Sequence, residues 1–593
     1  MVKLSKILSV SRQRMLHGKL AILLIFLAIC VIGRTAKADT SIYVFDPNQS
    51  TVRRSGGIAG LQKTFAVAGQ FHLIVDLEAG IASFEKVDAN LTDETGSIYG
   101  QSLDEIFNMT GISGTITDDT TIQFEGKTAD GTESDVSLKL TLGNDSAQLT
   151  GSTTPPPNSA DMFLYEIDAV AAKKYDGGTG EPNDPYLIYT AEHLNTIGTE
   201  PNDLDKHFKL MADIDLSGYS YDRAVIASDT NDAELWFQGN PFTGVFNGNG
   251  YVISNLHVRG LNYLGLFGKI DLAAKISSLG MEATDVNGIG EYIGSLVGWD
   301  EGNISMSYST GTVSGTGANV GGLVGFNLGS ITMSYSACVV SGIISVGGLV
   351  GYNIGDLTGC YSAAVVNGSL HAGGLVGYNQ NGSIITSFSS GTTNGDMSVG
   401  GLAGWNWGGV ITQCYSTGIV TGNFDVGGLL GSDAEGHVTY CYSTGMVGGE
   451  SSVGGLLGYG VDSNVTNCFW DTETSAQTTS AGGTGETTAE MQMSNTYLDA
   501  GWDFVDETVN GTEDIWSICE GTNYPRLVWQ IPAGDFVCPD GITLDDFLFF
   551  LEHWLDDNCD SSNDYCQGTD FDQSGTVDVI DLEIFFENWP AEK

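Results

Sequence analysis

The phrase VGGLVGYN at residues 346–353 returns as VGGLVGFN at 320–327, AGGLVGYN at 372–379 and VGGLAGWN at 399–406. The leucine of each G-L-x-G falls at Leu296, Leu323, Leu349, Leu375, Leu402, Leu429 and Leu456, in steps of 27, 26, 26, 27, 27 and 27 residues. An aromatic marker keeps the same period at Tyr308, Tyr335, Tyr361, Phe388, Tyr415, Tyr442 and Phe469. Four residues before each of these stands an apolar one: Ile304, Ile331, Leu357, Ile384, Ile411, Val438 and Val465. Independent markers sharing one period define internal repeats. Each repeat must bury its apolar face on its neighbours, which leaves few possible folds.

The units are built from Gly, Ser, Thr, Val and aromatic residues with short apolar runs, which is strand-and-turn chemistry rather than helix chemistry. A unit this short cannot supply the four strands of a propeller blade. The sequence therefore predicts a mainly β protein whose centre is a parallel β-solenoid of ~27-residue coils, with two or three short strands per coil and coils stacked about 4.8 Å apart. Less regular early coils are expected at FTGVFNGNG (242–250) and LGLFG (264–268). Stacking turns sequence columns into ladders. Phe326, Tyr352, Tyr378 and Trp405 form an aromatic column, which is core if it points inward and a possible ligand ladder for a glycan if it points outward. Asn327, Asn353, Asn379 and Asn406 form an amide column suited to hydrogen bonding from coil to coil. Cys360, Cys414, Cys441 and Cys468 share a third column, readable as a metal or redox site or as a buried thiol ladder.

With these motifs the chain resembles the GLUG-repeat proteins, named for Gly-Leu-hydrophobic-Gly, over residues 181–530. The resemblance implies a secreted or surface-exposed protein, adhesin-like proteins among them, and brings no reaction with it. The lead-in NDPYLIYTAEHLNTIG with HFKLMADIDLSGY, and the closing GWDF and DIWSICEGTNYPRLVW, are similar to the flanks of such arrays and are expected to cap the open ends.

At the N-terminus, basic residues precede the apolar run LAILLIFLAICVIG and the small residues Ala36 and Ala38, so residues 1–38 read as a secretory signal peptide cleaved after Ala38. No other stretch could span a membrane. Loss of Cys30 leaves nine cysteines in an oxidising compartment, an odd count. Residues 39–174 lack the repeat and alternate between apolar and polar positions, which predicts a small antiparallel β domain. DGGTGEPNDP (176–185) reads as the boundary before the cap and early coils at 181–300; the GLUG repeats at 291–473 and a C-terminal cap at 474–530 follow.

The last segment, 531–593, carries an acidic loop. DFDQSGTVDVID places Asp570, Asp572, Ser574, Thr576, Asp578 and Asp581 at positions 1, 3, 5, 7, 9 and 12 of an EF-hand-like loop, with Gly575 at the tight turn. This donor set suits Ca2+, which takes six to eight hard oxygens. Leu582, Phe585, Phe586 and Trp589 give the following helix one apolar face, and Phe547, Phe550, Leu551 and Trp554 repeat that spacing. Tandem loop-helix units ending in Asp resemble the type I dockerin, over residues 535–590, which implies calcium as cofactor and a cohesin-like protein as partner. The first copy departs from the pattern, with Val537 and Pro539 at ligand positions, so one calcium site is expected rather than two. Cys559 and Cys566, in the connector, are the expected disulfide.

The chain carries 73 Asp and Glu against 23 Lys and Arg, a net charge of −50, which disfavours nucleic acid and anionic membranes as partners. Residues 276–525 contain no Lys or Arg, so the repeats lack the cations a uronate lyase requires. A glycoside hydrolase would need two facing carboxylates about 5–9.5 Å apart. Asp213 and Asp215 share a strand face but nothing singles them out, and His371 and His437 have no nucleophile motif beside them. No catalytic constellation is found. The expected function is non-catalytic adhesion or display, secreted and attached through the calcium module. The alternative is a carbohydrate-active enzyme or accessory subunit, which would need a concave groove with paired carboxylates in the coils of 181–300.

Overall fold

A computed structural model describes residues 39–589 except 46–48, 57–62, 77–78, 80, 93–97, 99–100, 119, 129–133, 143–145, 156–162, 232–233, 235, 506, 539–540 and 561–562. The signal-peptide expectation and Pro539 lie outside the described residues. No helix among the described residues is long and apolar enough to cross a membrane. The chain divides into two compact units, 1–187 and 188–593.

In the first unit nine antiparallel strands form one sheet, as the alternation predicts. Lys63–Asp76 pairs with Ile81–Thr92, and the pairings run on through the sheet to Phe163–Tyr175 and back, closing it into a barrel. Every second residue points inward: Val136, Leu138 and Leu140 from one strand meet Phe124, Phe84 and Phe71 in a filled core. Leu103–Phe107 adds a one-turn helix, closed by a Ser102/Glu105 capping box, that buries Leu103, Ile106 and Phe107.

The second unit holds the parallel β-solenoid, with about eight coils of ~27 residues. The coil is more angular than expected. Val324–Asn327, Ser330–Thr332, Tyr335–Ser341 and Ile344–Gly347 make four strands, not two or three, and each stacks in its own parallel sheet. The extra corner is the G-L-x-G motif itself. A Cβ on Gly348 would lie 2.0 Å from Gly374 O, and one on Gly351 would lie 2.6 Å from Asn319 C, so both positions demand glycine. Leu349 between them points into the core and is fully buried. The early coils keep the same ladders, with Phe246, Ile276, Ile304 and Ile331 in register.

The C-terminal flank does more than close the end. Thr484–Glu486 pairs in parallel with Phe469–Asp471 and extends the sheet. The chain then runs back along the rod over the aromatic ladder Phe388, Tyr415, Tyr442 and Phe469, whose rings stack at 4.9 Å from Phe388 to Tyr442. Trp529 packs 5.9 Å from Phe388 and 6.3 Å from Tyr361, and donates its indole N–H to Thr386 O at 3.0 Å. Tyr442 donates to Pro525 O at 2.6 Å, and Gln530 donates to the Tyr415 hydroxyl at 2.8 Å. Tyr415 and Tyr442 are buried under this cover, whereas Tyr308, Tyr335 and Tyr361 stay half-exposed.

Two helices, Leu544–Glu552 and Val579–Asn588, complete the chain and meet through Phe547, Phe550 and Phe585. Cys559 is bonded to Cys566 and Cys519 to Cys538. The second bond, between the C-terminal flank and the first acidic half-loop, has no signal in the sequence.

Candidate functional site

Two regions carry the chemistry, and the first is the corner of the rod beside G-L-x-G. Along Val350–Asn353 side chains alternate, so Asn353 turns in and Tyr352 turns out. The amides are fully buried and bonded in one direction. Asn327 Nδ2 donates to Asn353 Oδ1 at 2.7 Å, Asn353 to Asn379 at 2.8 Å, and Asn379 to Asn406 at 2.7 Å. The column extends one coil further each way. Asn406 donates to Asp433 Oδ1 at 2.6 Å, and Asp300 is the register partner of Asn327. Asp300 Oδ1 accepts from Gly302 N at 2.7 Å while Oδ2 is buried without a donor, and burial pushes its carboxyl up to about 7. Burial also raises Asp433, against the hydrogen bonds from Ser463 and Asn406.

The aromatic column lies outside this amide column. Trp299, Phe326, Tyr352, Tyr378 and Trp405 follow one another at 4.5, 4.9, 4.7 and 5.1 Å. Phe326 is buried and Tyr352, Tyr378 and Trp405 are half-buried. The column is thus neither core nor open platform: its rings pack on one another, mostly tilted, and Tyr352, Tyr378 and Trp405 are partly exposed. A parallel column of left-handed residues flanks it. Tyr292 packs 4.9 Å from Trp299, and His371 packs 4.7 Å from Trp405 and 5.4 Å from Tyr378. Burial in that stack lowers His371 to about 4, so its imidazole is neutral at physiological pH.

The thiol column is buried throughout. Cys414 and Cys468 donate to Thr412 O at 3.1 Å and Thr466 O at 3.2 Å, and burial raises the Cys360 thiol to about 12. Burial raises Cys441 and Cys468 as well, and thiols so shielded favour the thiol-ladder reading over metal or redox chemistry. Asp213 and Asp215 serve the backbone and nearby side chains. Asp213 accepts from Val252 N at 2.9 Å, and Asp215 accepts from Ser217 N at 2.9 Å and Asn255 at 2.8 Å.

The second region is the acidic loop. Asp570, Asp572 and Asp581 each bring a carboxylate oxygen to within 4.8 Å of the others, with Asp570 and Asp581 buried. Gly575 takes φ +93°, the turn that folds the loop inward. Asp578 is engaged as N-cap of Val579–Asn588, its Oδ1 accepting from Ile580 N at 2.8 Å, while Asp581 accepts from Asp578 N at 2.8 Å. Ser574 Oγ lies 3.2 Å from Thr576 O, on the same loop. Three hard carboxylates converging round a glycine turn fit a Ca2+ ion. The last position of the first half-loop is held in the same way: Asp546 accepts from Phe536 N at 2.7 Å, Val537 N at 2.9 Å and Thr543 N at 2.7 Å, as Asp581 accepts from Asp572 N at 3.2 Å and Asp578 N; the difference is that Val537 stands where the second loop has Asp572.

Comparison with known proteins bears on the rod. The GLUG motif matches residues 395–421. Halomucin of Haloquadratum walsbyi is 32% identical over 171 residues, 28% of this chain and 2% of halomucin. A protein of Evansella cellulosilytica named as a Gly-rich membrane protein is 34% identical over 146 residues, 24% of this chain and 16% of that protein. The chain therefore spans a small part of the relatives it matches. A solved structure of an IgA1 protease aligns with 80% of this chain and 33% of its own at 12% identity, but its TM-score of 0.33 is too low to bear on fold or function. The matched motif covers one coil of a ladder whose other coils keep its spacing, and the chain carries a GLUG-repeat β-solenoid.

Proposed function

We propose that this chain is a secreted, surface-associated display or adhesion protein, in which the rod presents its ladders and a calcium-bound, dockerin-like C-terminal module attaches it to a cohesin-like partner. The names of the matched relatives, a halomucin and a membrane protein, support the surface setting. The observation that carries the attachment is the convergence of Asp570, Asp572 and Asp581. Ca2+ would be held by these carboxylates, with Ser574 and the Thr576 carbonyl on the same loop and Asp578 reaching it through water. The ion would neutralise three crowded acids and fix the loop against Val579–Asn588. A docking face is available beside it: Leu544, Leu548 and Leu551 recur at helical spacing along Leu544–Glu552 and are exposed.

Calorimetric titration of the full chain with Ca2+ tests this reading. One saturable site is expected, absent in Asp572→Ala/Asp581→Asn, and Ca2+ at 100-fold over Kd should stabilise the module by about 2.7 kcal/mol. Heat from the double variant equal to wild type would remove the calcium site and the attachment built on it.

A further inference from the structure

The aromatic column is interrupted once, and the interruption has the form of a binding slot. At its N-terminal end the column is closed, because Lys269 Nζ sits 5.2 Å over the Trp299 ring and pairs with Glu301 at 2.9 Å. At the other end Trp405 is followed in register by Ser432, and Ser432 by Tyr459. On the same outward face Trp407 is followed by Ala434 and then Val461. Among the described residues, no ring therefore stacks on Trp405 from the Ser432 side. Trp405 and Trp407 lie 5.9 Å apart and 9° from parallel, forming one wall, and Tyr459, half-exposed, stands two coils away. Two coil steps amount to about 9.6 Å. A saturated ring touching an aromatic face on each side needs about 7–8 Å, so slight tilting of either wall closes the fit. Beneath the walls Ser398 and Ser432 are buried and bonded to each other, their Oγ atoms 2.9 Å apart. Asp425 takes the register position of Ser398 one coil on, also left-handed, at the edge of the slot.

We propose that this slot binds one pyranose unit of a neutral glycan whose ring hydroxyls are all equatorial, as in a β-glucan or xylan. Such a sugar presents axial C–H groups on both faces, which matches two aromatic walls, and its equatorial hydroxyls reach the Asp425 carboxylate at the edge. A uronate does not match, since the repeats carry no Lys or Arg and the chain is strongly acidic. The inference rests on the display reading above and names what the rod would hold. The calcium titration tests attachment separately, so either can fail alone.

The test is calorimetry and tryptophan fluorescence of the full chain with cellohexaose, with mannohexaose and hexagalacturonate as controls. Cellohexaose is expected to bind and to perturb tryptophan emission, with mannohexaose, whose 2-hydroxyl is axial, and hexagalacturonate at least 10-fold weaker. Ser432→Tyr should abolish binding, because it supplies the ring that neighbouring coils carry at this position. Tyr459→Ala, at an exposed position, should weaken binding at least 10-fold and decides the matter if Ser432→Tyr does not fold. No binding of cellohexaose, equal binding of hexagalacturonate, or undiminished binding by the folded variants would overturn the proposal.

Discussion

Asp300 stands where the four following coils place asparagine, and this one atom-for-atom difference has a measurable cost. Asn327 sends its N–H toward Asn353, so its carbonyl oxygen faces back toward Asp300, whose Oδ2 lacks a donor. A protonated Asp300 can donate into that contact and an ionised one cannot. The carboxyl titrates at about 7 when folded against an ordinary 3.8. Stability from this group is therefore fully present below pH 3.8, is lost as pH rises from there to about 7, and stays lost above. The loss is on the order of 1–4 kcal/mol. Asp300→Asn should raise Tm at pH 8, and its advantage over wild type should grow as pH rises from 4 to 7. Parallel melting curves of the two proteins across that range would refute the account.

At the scale of elements, the amide column and the C-terminal cover each make a prediction. Asn379→Ala removes a donor and an acceptor at once, leaving Asn353 Nδ2 with Gly355 O alone and Asn406 Oδ1 without its donor in a dry interior, at roughly 1–3 kcal/mol. Hydrogen exchange should quicken in the coils on both sides of the substitution; a change confined to one coil would mean that the column is not cooperative. Trp529→Ala should cost roughly 3–5 kcal/mol of the cover's packing and expose Phe388 and Tyr361, with faster proteolysis between 501 and 530 as the readout. The columns were legible because a fixed period turns sequence spacing directly into spatial register. Four strands per coil were not, since a corner of two residues, Gly348 and Leu349, is too short to interrupt a periodic pattern. The path of the cover was hidden for a different reason. Its aromatics Trp502, Trp516, Tyr524 and Trp529 outnumber what an end cap requires, but spacing cannot say which ladder they meet.

Over the whole chain, the least legible feature is the Cys519–Cys538 bond, which crosses the boundary drawn at 530 and ties the acidic module to the cover. A pocket of about 460 Å³ lies at the same junction, lined by Phe504, Ile518, Phe536 and Val537 among others. The odd cysteine count implies at least one thiol that is free or paired between chains, and five buried free ones are found among the described residues, but pairing depends on a fold-back that no local pattern announces. Cys519→Ser/Cys538→Ser should release the module and raise the radius of gyration in small-angle scattering, leaving calcium affinity unchanged. Scattering that does not change would assign the junction to packing alone. The convergence of Asp570, Asp572 and Asp581, by contrast, was readable, because the acids and the turning glycine are close in sequence. The amide column also gives the rod an electrical sense. Every buried amide from Asn327 to Asn406 points its positive end toward the C-terminal coils, so the column adds up, as peptide units do in a helix, to a dipole along the stacking axis. Its positive pole is spent on Asp433 and its negative pole on Asp300, so two aspartates that differ little in burial face fields of opposite sign.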